Sequence, residues 1–371
     1  MGFPGIRVVA TDGNLQKLIA SGDVGAIVAS DAIALEPTAI YNIDEGRVKL
    51  AKTPMLLYMA EDYYREVNGT SKLWAFSPGP TMKVNDIAAA TGATGLRHLM
   101  HQTNYEITLM AIACTVQGGA ELLTDETKTA ATGNTKAFCD AMQARNTPVR
   151  ILIGAKVADK TKTLVFAPRE VDNPWCGIVL GSTEANKPGA AALLLGRAIQ
   201  YGTHIKIGSG RNGALSATNI YVGDDNIDNR TDTESIHDAG LITFHHRSGT
   251  VGYFCGVDNM LTAGDYRHLA RGRVVDKATR IIATTATPYI EDTILMNADG
   301  SLNETQAADM QSAFETAILK NMTGQISGVK VSINTKQEII NTSTLSIQFK
   351  ILPLGYMTWI EAEIGLSTTL K

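Results

Sequence analysis

The sequence predicts a mixed α/β protein, in which a layered α/β middle domain is followed by an α+β C-terminal domain, with strand-forming terminal arms. Short apolar runs alternate with helical patterns over about 26–240, as is typical of strands and helices packed in layers. From 241 to 371 a hairpin, two helices and two strands follow one another. Residues 1–25 have the pattern of an extended arm, which includes a short strand at 6–10.

Length and composition limit the possible functions. The 371 residues, 44% hydrophobic and 19% charged, are sufficient for more than one domain with a sizeable core. A net charge of -4 gives no overall basic field, so nucleic acid is not expected as a partner. No apolar run approaches the ~20 residues of a membrane span, so membrane insertion is not expected either. The four cysteines lie far apart without CxxC spacing, which favours buried thiols over a metal or redox site.

The middle domain should contain four clearly buried strands and three helices. The predicted strands lie at 55–58, 107–113, 149–153 and 177–180, and the predicted helices at 84–101, 127–145 and 187–201. Strand-rich sequence flanks this region on both sides. This arrangement predicts that the middle domain is an insertion between the N-terminal arm and the C-terminal domain.

The C-terminal domain, 241–371, begins with a predicted hairpin, whose strands at 241–244 and 251–254 flank a turn at 247–249. A helix is predicted from Asp265 to about residue 282, because its apolar positions recur at near-3.6 spacing. A second helix should begin at Asn303 as N-cap, with Gln306 three residues on. Residues 345–351 alternate apolar and polar side chains, which predicts a half-buried strand.

A closing strand is predicted at 356–366, where many domains have only a loose end. Its alternation would place Ile360, Ala362, Ile364 and Leu366 on one face and Trp359, Glu361 and Glu363 on the other. A strand at the end of a chain can pair with the sheet of another molecule. Unless it is covered or paired, such an edge invites association. This segment, 356–371, is therefore predicted to be a terminal arm used in assembly.

One glycine motif suggests nucleotide binding. Gly208, Gly210 and Gly213 form a GxGxxG pattern after the strand-like run 204–207. A dinucleotide fingerprint needs a helix to begin at these glycines and an acidic residue ~20 positions later. The following run, 214–221, is a poor helix former, and the nearest acids come too early. A glycine-rich loop is the better interpretation, and a nucleotide-binding α/β enzyme is kept as the alternative from another class.

Histidines are the other candidates for chemistry. His98 and His101 share a helical face, and His245 and His246 are adjacent in a turn. Neither pair has a third ligand at the spacing that a metal site requires. Structural or surface roles are favoured, and no catalytic residue, cofactor or metal is predicted.

The helix predicted from Asp265 has an unusual charge pattern. Arg267 and Arg271 are four residues apart, as are Arg273 and Lys277, and each like-charge pair should cost an isolated helix ~0.2–0.5 kcal/mol.

Asp276 can offset Arg273 and Arg280 from within the helix. Two interpretations stay open: a solvated face with pairs inside the chain, or an interface with an acidic neighbour such as Glu361 and Glu363. Gly272 costs up to ~1 kcal/mol relative to alanine inside a helix, which predicts close packing of another backbone there.

These residues resemble a known family. The runs 256–260, 265–269 and 271–278, together with 351–355 and 359–364, are similar to the C-terminal domain of contractile tail sheath proteins of bacteriophages and related injection systems. The run 11–15 is similar to the opening arm of that family. The resemblance is specific over 241–371 and weaker over 1–25.

The resemblance implies a structural subunit. In such sheaths the C-terminal domain lies against an inner tube, and terminal arms of neighbouring subunits add strands to its sheet. The implied partners are further copies of this chain in a helical homo-oligomer, a tail tube protein, and baseplate and tail terminator proteins. The implied location is the host bacterial cytoplasm during assembly and then the virion tail. A non-contractile tail or baseplate component is a further alternative.

The predicted subunit-interface residues combine the basic helix and the closing strand. They are Tyr266, Arg267, Arg271, Arg273, Lys277, Trp359, Ile360, Glu361, Ala362, Glu363, Ile364 and Leu366.

Overall fold

The computed structural model describes residues 22–67 and 70–357. This part of the chain divides into two compact units between Ala286 and Thr287. We call residues 22–286 unit 1 and residues 287–357 unit 2. The N-terminal arm up to residue 21 and the closing strand from residue 358 onward lie outside the described residues.

The boundary between units differs from the domain boundary expected after residue 240. The chain beyond that point continues the packing of unit 1, because Ile242 forms a parallel bridge with Val179 and Leu261 donates its backbone N–H to the carbonyl of Cys176. The predicted hairpin and the basic helix therefore both belong to unit 1.

Unit 1 is built on a six-stranded sheet with the order β2-β3-β1-β4-β5-β6. Its strands are β1 (Gly25–Ala29), β2 (Ala34–Ile40), β3 (Leu73–Pro78), β4 (Leu109–Ala113), β5 (Arg150–Gly154) and β6 (Cys176–Val179). All neighbouring pairs are parallel except β2 with β3. The predicted α/β class is confirmed, and β4, β5 and β6 confirm three of the four predicted strands.

Helices cover both faces of this sheet, since every residue of β1, β4, β5 and β6 is buried. The helices before residue 240 are α1 (Ile43–Lys49), α2 (Pro54–Glu66), α3 (Val84–Ala89), α4 (Leu96–Gln102), α5 (Asp125–Thr132), α6 (Asn134–Ala144), α7 (Ala191–Gln200) and α8 (Thr233–Ala239). Helices α2 and α7 pack together, and α7 lies against β1, β4 and β5. Helices α3, α5 and α6 form a second packed group, with α5 against β5 and β6.

The strand predicted at 55–58 is wrong, because these residues lie in α2. Pro54 occupies the first turn of that helix, where its missing N–H costs nothing. The buried positions continue past the run as Met59, Ala60 and Tyr63, which is helical spacing. A four-residue apolar run is too short to separate a buried strand from a buried helix.

Two predicted helices are each interrupted by a glycine in close contact. The 84–101 prediction is split into α3 and α4, and a Cβ on Gly95 would lie 2.1 Å from the carbonyl oxygen of Ala90. The 127–145 prediction is split into α5 and α6 at Gly133, where a Cβ would lie 2.0 Å from Asn85 Oδ1. The chain turns at both points, and the space beside each glycine would not admit a larger residue.

The remaining strands of unit 1 are short antiparallel pairs. They are β7 (Tyr221–Val222) with β8 (Asp225–Asn226), and β9 (Phe244–His246) with β10 (Tyr253–Cys255). The second pair confirms the predicted hairpin. Unit 1 ends with α9 (Leu269–Ala286), which begins four residues later than predicted.

Unit 2 is a helix with a two-stranded antiparallel sheet. It contains α10 (Glu304–Asn321), β11 (Ile326–Ile333), the short α11 (Ile339–Thr342) and β12 (Ile347–Pro353). The Asn303 side chain accepts from the N–H groups of Thr305 and Gln306, which confirms the predicted N-cap. Gln306 Oε1 accepts instead from the N–H of Leu295, so the reciprocal half of the capping box is not formed.

Candidate subunit interface

Helix α9 is attached to unit 1 by a buried ion pair with β5. Arg150 is 1% exposed, and its Nε and Nη2 lie 2.5 and 2.9 Å from the two carboxylate oxygens of Asp276. Its third nitrogen donates to the carbonyl of Pro174 at 2.7 Å. A guanidinium that is paired with a carboxylate and donates a hydrogen bond from each of its three nitrogens is a form in which a buried charge is tolerated.

Gly272 makes room for this guanidinium. A Cβ at this position would lie 2.1 Å from Arg150 Cζ, which is far inside van der Waals contact. The prediction of close packing at Gly272 is confirmed, but the group that packs there is a side chain and not another backbone. The ring of Trp175 lies over the same guanidinium, with its centroid 4.9 Å from Cζ.

Two arginines of α9 itself, Arg273 and Arg280, bind groups that precede the strands of the sheet. Arg273 Nη2 lies 2.7 Å from the carboxylate of Asp23, just before β1, and also donates to the carbonyl of Ala198. Arg280 donates to the carbonyls of Ile107 and Pro148, which precede β4 and β5. Asp276 was expected to offset Arg273 and Arg280, but it is bound to Arg150.

Arg273 is therefore placed where a neighbouring subunit would not reach it. It is 3% exposed and its guanidinium is engaged inside unit 1. For this residue the intrachain interpretation of the basic helix fits the structure, and its predicted role at an interface does not. Lys277 is half-buried, and burial lowers its pKa while Asp23 acts in the opposite direction.

The amino end of α9 is fixed by Asp258. Its Oδ2 accepts from the N–H of Ala270, and its Oδ1 lies 3.7 Å from Lys206 Nζ. A carboxylate at a helix N-terminus satisfies donors that have no partner within the helix. This cap explains why the helix begins at Leu269 and not at Asp265.

Lys206, Arg267 and Arg271 form a basic cluster beside this cap. Burial lowers the pKa of Lys206, Asp258 opposes that change, and the charges of Arg271 and Arg267 lower the pKa further. Arg267 is exposed. Three basic side chains therefore lie near the amino end of α9, and Lys206 is the one at 3.7 Å from the Asp258 carboxylate.

Tyr266 lies next to this cluster and is 40% exposed. Its ring centroid is 5.7 Å from Arg150 Cζ, so the ring covers the buried ion pair from the surface side. The structure therefore brings together Tyr266, Arg267 and Arg271 near the amino end of α9. The predicted partners on the closing strand, from Trp359 to Leu366, lie outside the described residues.

Sequence reasoning missed Arg150, Asp23 and Asp258, which hold α9 in place. Arg150 did carry a signal, because it is a charged residue at the start of a run that is otherwise apolar and predicted to be buried. A charge in such a position requires a partner. The partner is 126 residues away in the sequence, and no local spacing rule could identify it.

The Gly208–Gly213 loop does not have the geometry of a phosphate cradle. Only a three-residue 3₁₀ turn, Gly210–Asn212, follows the first glycine. The carbonyls of Asn212 and Gly213 accept from Arg197, and the carbonyl of Gly208 accepts from Arg247. A phosphate site needs backbone N–H groups directed at the ligand, whereas here carbonyl oxygens are directed at cations.

The histidines make local contacts. His98 Nε2 lies 2.8 Å from the carboxylate of Glu36, and His246 Nε2 lies 2.9 Å from that of Asp228. Within residues 22–67 and 70–357, no three His, Cys, Asp or Glu side chains are grouped so that they could hold a metal ion. The four cysteines are free and buried, as predicted. Over the same described ranges, no helix combines the length and apolar character needed to cross a bilayer.

The sheet of unit 2 has two strands in the described part of the chain, and no further strand pairs with either. On β11 the N–H of Val331 donates to the carboxylate of Glu315 at 2.8 Å, so α10 already satisfies one group there. On β12, Leu352 is 63% exposed, and Met357 just beyond the strand is 81% exposed. Both strands present backbone groups and apolar side chains that a further strand could cover.

Comparison with solved structures identifies the fold. The chain is similar to a protein in the cryo-EM structure of the anti-feeding prophage baseplate, with a TM-score of 0.62 and 15% identity, covering 99% of this chain and 100% of that one. It is also similar to the anti-feeding prophage helical sheath in its contracted state, with a TM-score of 0.60, 15% identity and coverage of 98% and 99%.

A third similar structure is the PVC sheath complex of an extracellular contractile injection system in its contracted state, with a TM-score of 0.60, 12% identity and coverage of 99% and 98%. The chain therefore has the fold of contractile sheath proteins over nearly its whole length. Within this fold, residues 265–371 match the family model described as DUF2586, C-terminal domain. The comparison with curated proteins found no match.

Proposed function

We propose that this chain is a structural subunit of a contractile tail sheath, which polymerises helically around an inner tube. The observation that carries the proposal is the similarity in fold to a contracted helical sheath over 98% of this chain and 99% of the other. Because both chains are covered almost completely, the similarity extends to both units and is not confined to a common α/β sheet. The chain would act by assembly and not by catalysis.

Strand exchange through the terminal arms would link the subunits. The β11–β12 sheet packs against α10 but has two strands in the described part of the chain, so its outer edge can accept a further strand. Arms at about 1–20 and 356–370 of neighbouring copies would extend the β11–β12 sheet. Backbone hydrogen bonds would supply this binding, with little demand on side-chain identity. The outer edge of β12 is the favoured acceptor, since Glu315 already occupies one donor of β11.

The basic cluster would supply the charge contacts. Arg267 is exposed at the amino end of α9, and Lys206 and Arg271 add to its field. Glu361 and Glu363 of a neighbouring closing strand are the acidic groups that we propose as partners. Such contacts at a rim would contribute more to register and association rate than to affinity.

The other proposed partners are a tail tube protein and baseplate and tail terminator proteins. The subunit would be made in the cytoplasm of a host bacterium and would then lie in a phage tail or an injection system. A baseplate component is the second candidate, because one similar chain comes from a baseplate structure. Rings of fixed size in place of tubes of variable length would favour that candidate.

A truncation tests strand exchange. The chain lacking 356–371 should keep the circular dichroism spectrum of the full chain but form no tubes under negative-stain microscopy. Normal tubes from the truncated chain would rule out the proposed role of the closing strand. A full-length chain that stays monomeric or dimeric at high concentration would argue against a sheath altogether.

A charge exchange tests the basic cluster. Arg267→Glu and Glu361→Lys should each reduce tube formation, and the double variant should restore part of it if the two side chains meet. Arg97→Glu is the matched control, since Arg97 is an exposed arginine of α4 outside the cluster. Equal loss of tubes in the control, or no restoration in the double variant, would contradict the proposed pairing.

A further inference from the structure

Unit 1 contains a cavity of about 240 Å³ at the carboxyl end of its parallel sheet. Gln117 lines it after β4, Lys156 after β5, and Asn186 and Lys187 after β6. The carboxyl ends of parallel strands are where α/β sheets bind ligands. This edge is opposite to the amino ends where α9 is attached, so the cavity is separate from the candidate interface.

Lys156 carries a buried charge that faces this cavity. Its residue surface is 9% exposed, and its ammonium donates to the backbone carbonyl of Asn186. No carboxylate among the described residues lies within ion-pair distance of its Nζ, although buried cations are ordinarily paired. Burial lowers the pKa of Lys156, and the nearby charge of Lys187 lowers it further.

Lys187 adds a second ammonium group to the same wall. Its Nζ lies 5.3 Å from the ring centroid of Tyr58, and in the described part of the chain it has no carboxylate at ion-pair distance either. A cation that packs over an aromatic ring keeps its charge but loses part of its contact with water. The charge of Lys187 disfavours the charged form of Lys156, so an anion near both ammonium groups would stabilise that form.

Two carboxylates line the cavity, those of Asp159 and Asp224, and neither is paired with Lys156 or Lys187. Asp224 lies 2.6 Å from Lys160 Nζ, and Asp225 binds the same ammonium at 2.8 Å. Asp159 accepts from the backbone N–H and the hydroxyl of Thr161 within its own turn. Lys160 thus has two carboxylates at ion-pair distance, whereas Lys156 and Lys187 are the cations of this wall for which none lies at that distance among the described residues.

We propose that this cavity binds a small oxyanion of the phosphate class, held between the ammonium groups of Lys156 and Lys187. The volume is far above the ~15 Å³ that admits one water molecule, so an anion of several heavy atoms can enter. A hydrogen bond to the carbonyl of Asn186 holds the Lys156 ammonium at this wall.

The test uses the full-length chain and inorganic phosphate as the probe. Isothermal titration with phosphate, in sodium chloride of matched ionic strength, should show saturable binding, and phosphate should raise the midpoint of thermal unfolding above the chloride control. Absence of both effects in the wild-type chain would overturn the proposal, whatever the variants do. Binding is measured before assembly, so it does not depend on whether tubes form.

Variants then locate the site. Lys156→Met keeps the length of the side chain and removes its charge, and it should weaken phosphate binding at least tenfold. Lys162→Met is the matched control on the same loop, because Lys162 is exposed and does not line the cavity. Affinity within twofold of wild type in Lys156→Met would overturn the assignment. If that variant does not fold, Lys187→Gln serves instead, with the same expected loss and the same contradicting result.

Discussion

The sheet of unit 1 has six strands and that of unit 2 has two, and the two sheets differ in how their strands are covered. In unit 1 the inner strands are buried along their whole length, and segments near Ile242 and Leu261 bind the outer edge of β6. In unit 2, β12 alternates half-buried and exposed residues, and its outer edge has no strand beside it in the described part of the chain. The inner strands of unit 1 are therefore covered within the described chain, whereas the outer edge of β12 is where we propose that a further strand pairs.

This comparison predicts the largest loss of stability when the buried ion pair of unit 1 is broken. Asp276→Ala leaves Arg150 buried without its carboxylate, which should reduce the free energy of unfolding by about 3–5 kcal/mol. Urea denaturation measures this change. Asp44→Ala removes an exposed pair with Arg47 and should cost less than about 1 kcal/mol. Similar losses in both variants would show that burial of the pair does not matter.

A cavity in the small core of unit 2 should destabilise unit 2 without affecting unit 1. Phe314 is 1% exposed, and its ring centroid lies 6.0 Å from that of Tyr289 and 5.4 Å from that of Phe349. Phe314→Ala should cost unit 2 about 3–5 kcal/mol. Hydrogen exchange should therefore increase in β11 and not in β4. Leu319→Ala, an exposed change on the same helix, is the control, and equal loss of protection in both units would contradict their independence.

A buried carboxylate should make the stability of unit 1 depend on pH. Burial raises the pKa of Asp62 from 3.8 to about 7, although the Thr183 hydroxyl donates to it and Arg65 lies nearby. The folded state therefore binds the proton more tightly than the unfolded state. The stabilisation from protonated Asp62 is complete below pH ~4 and is lost as the pH rises to about 7.

Asp62→Asn should remove this pH dependence of stability. One pKa unit corresponds to about 1.4 kcal/mol, so the free energy of unfolding that is lost between low and high pH should be about 2–4 kcal/mol. Urea midpoints at pH 5 and pH 8 measure it. Asp86→Asn, at an exposed position of α3, should leave the slope unchanged. A wild-type chain whose midpoint changes as much as that of Asp62→Asn over this range would contradict the assignment.

The smallest expected effect compares two helical glycines of unit 1. At Gly46 an added Cβ would lie 3.6 Å from Ile40 Cδ1, an ordinary contact, so Gly46→Ala should gain up to ~1 kcal/mol in helix propensity. At Gly272 the added Cβ would push the Arg150 guanidinium aside while leaving Asp276 as its partner, so Gly272→Ala should lose about 1–3 kcal/mol instead. Thermal unfolding of the two variants distinguishes them, and stabilisation by both would show that Arg150 moves away without cost.

The sequence predicted strands and helix ends correctly where the apolar run was long, or where the signal came from one side chain and its immediate neighbours. The apolar runs of β4, β5 and β6 predict buried strands, and Asn303 predicts the start of α10 from its own side chain. The run at 55–58 failed because four apolar residues fit a strand or a helix equally well. The glycine breaks between α3 and α4 and between α5 and α6 depend on contacts with Ala90 and Asn85, which the pattern does not contain.

The candidate interface was predicted in part for the same reason. Charge spacing along α9 identified an unusual helix, but it could not separate arginines that bind strand ends from those on the surface. Arg273 belongs to the first group and Arg267 to the second. That separation depends on Asp23 and on backbone carbonyls far away in the sequence. The roles of the closing strand, from Trp359 to Leu366, stay predictions.

The attachment of α9 also has a mechanical consequence. The chain leaves unit 1 at Ala286, so tension applied through the C-terminal part of the molecule enters unit 1 along this helix. Arg273, Asp276 and Arg280 connect the helix to the ends of β1, β4 and β5. Tension on this helix is thereby shared among the ends of several strands at once.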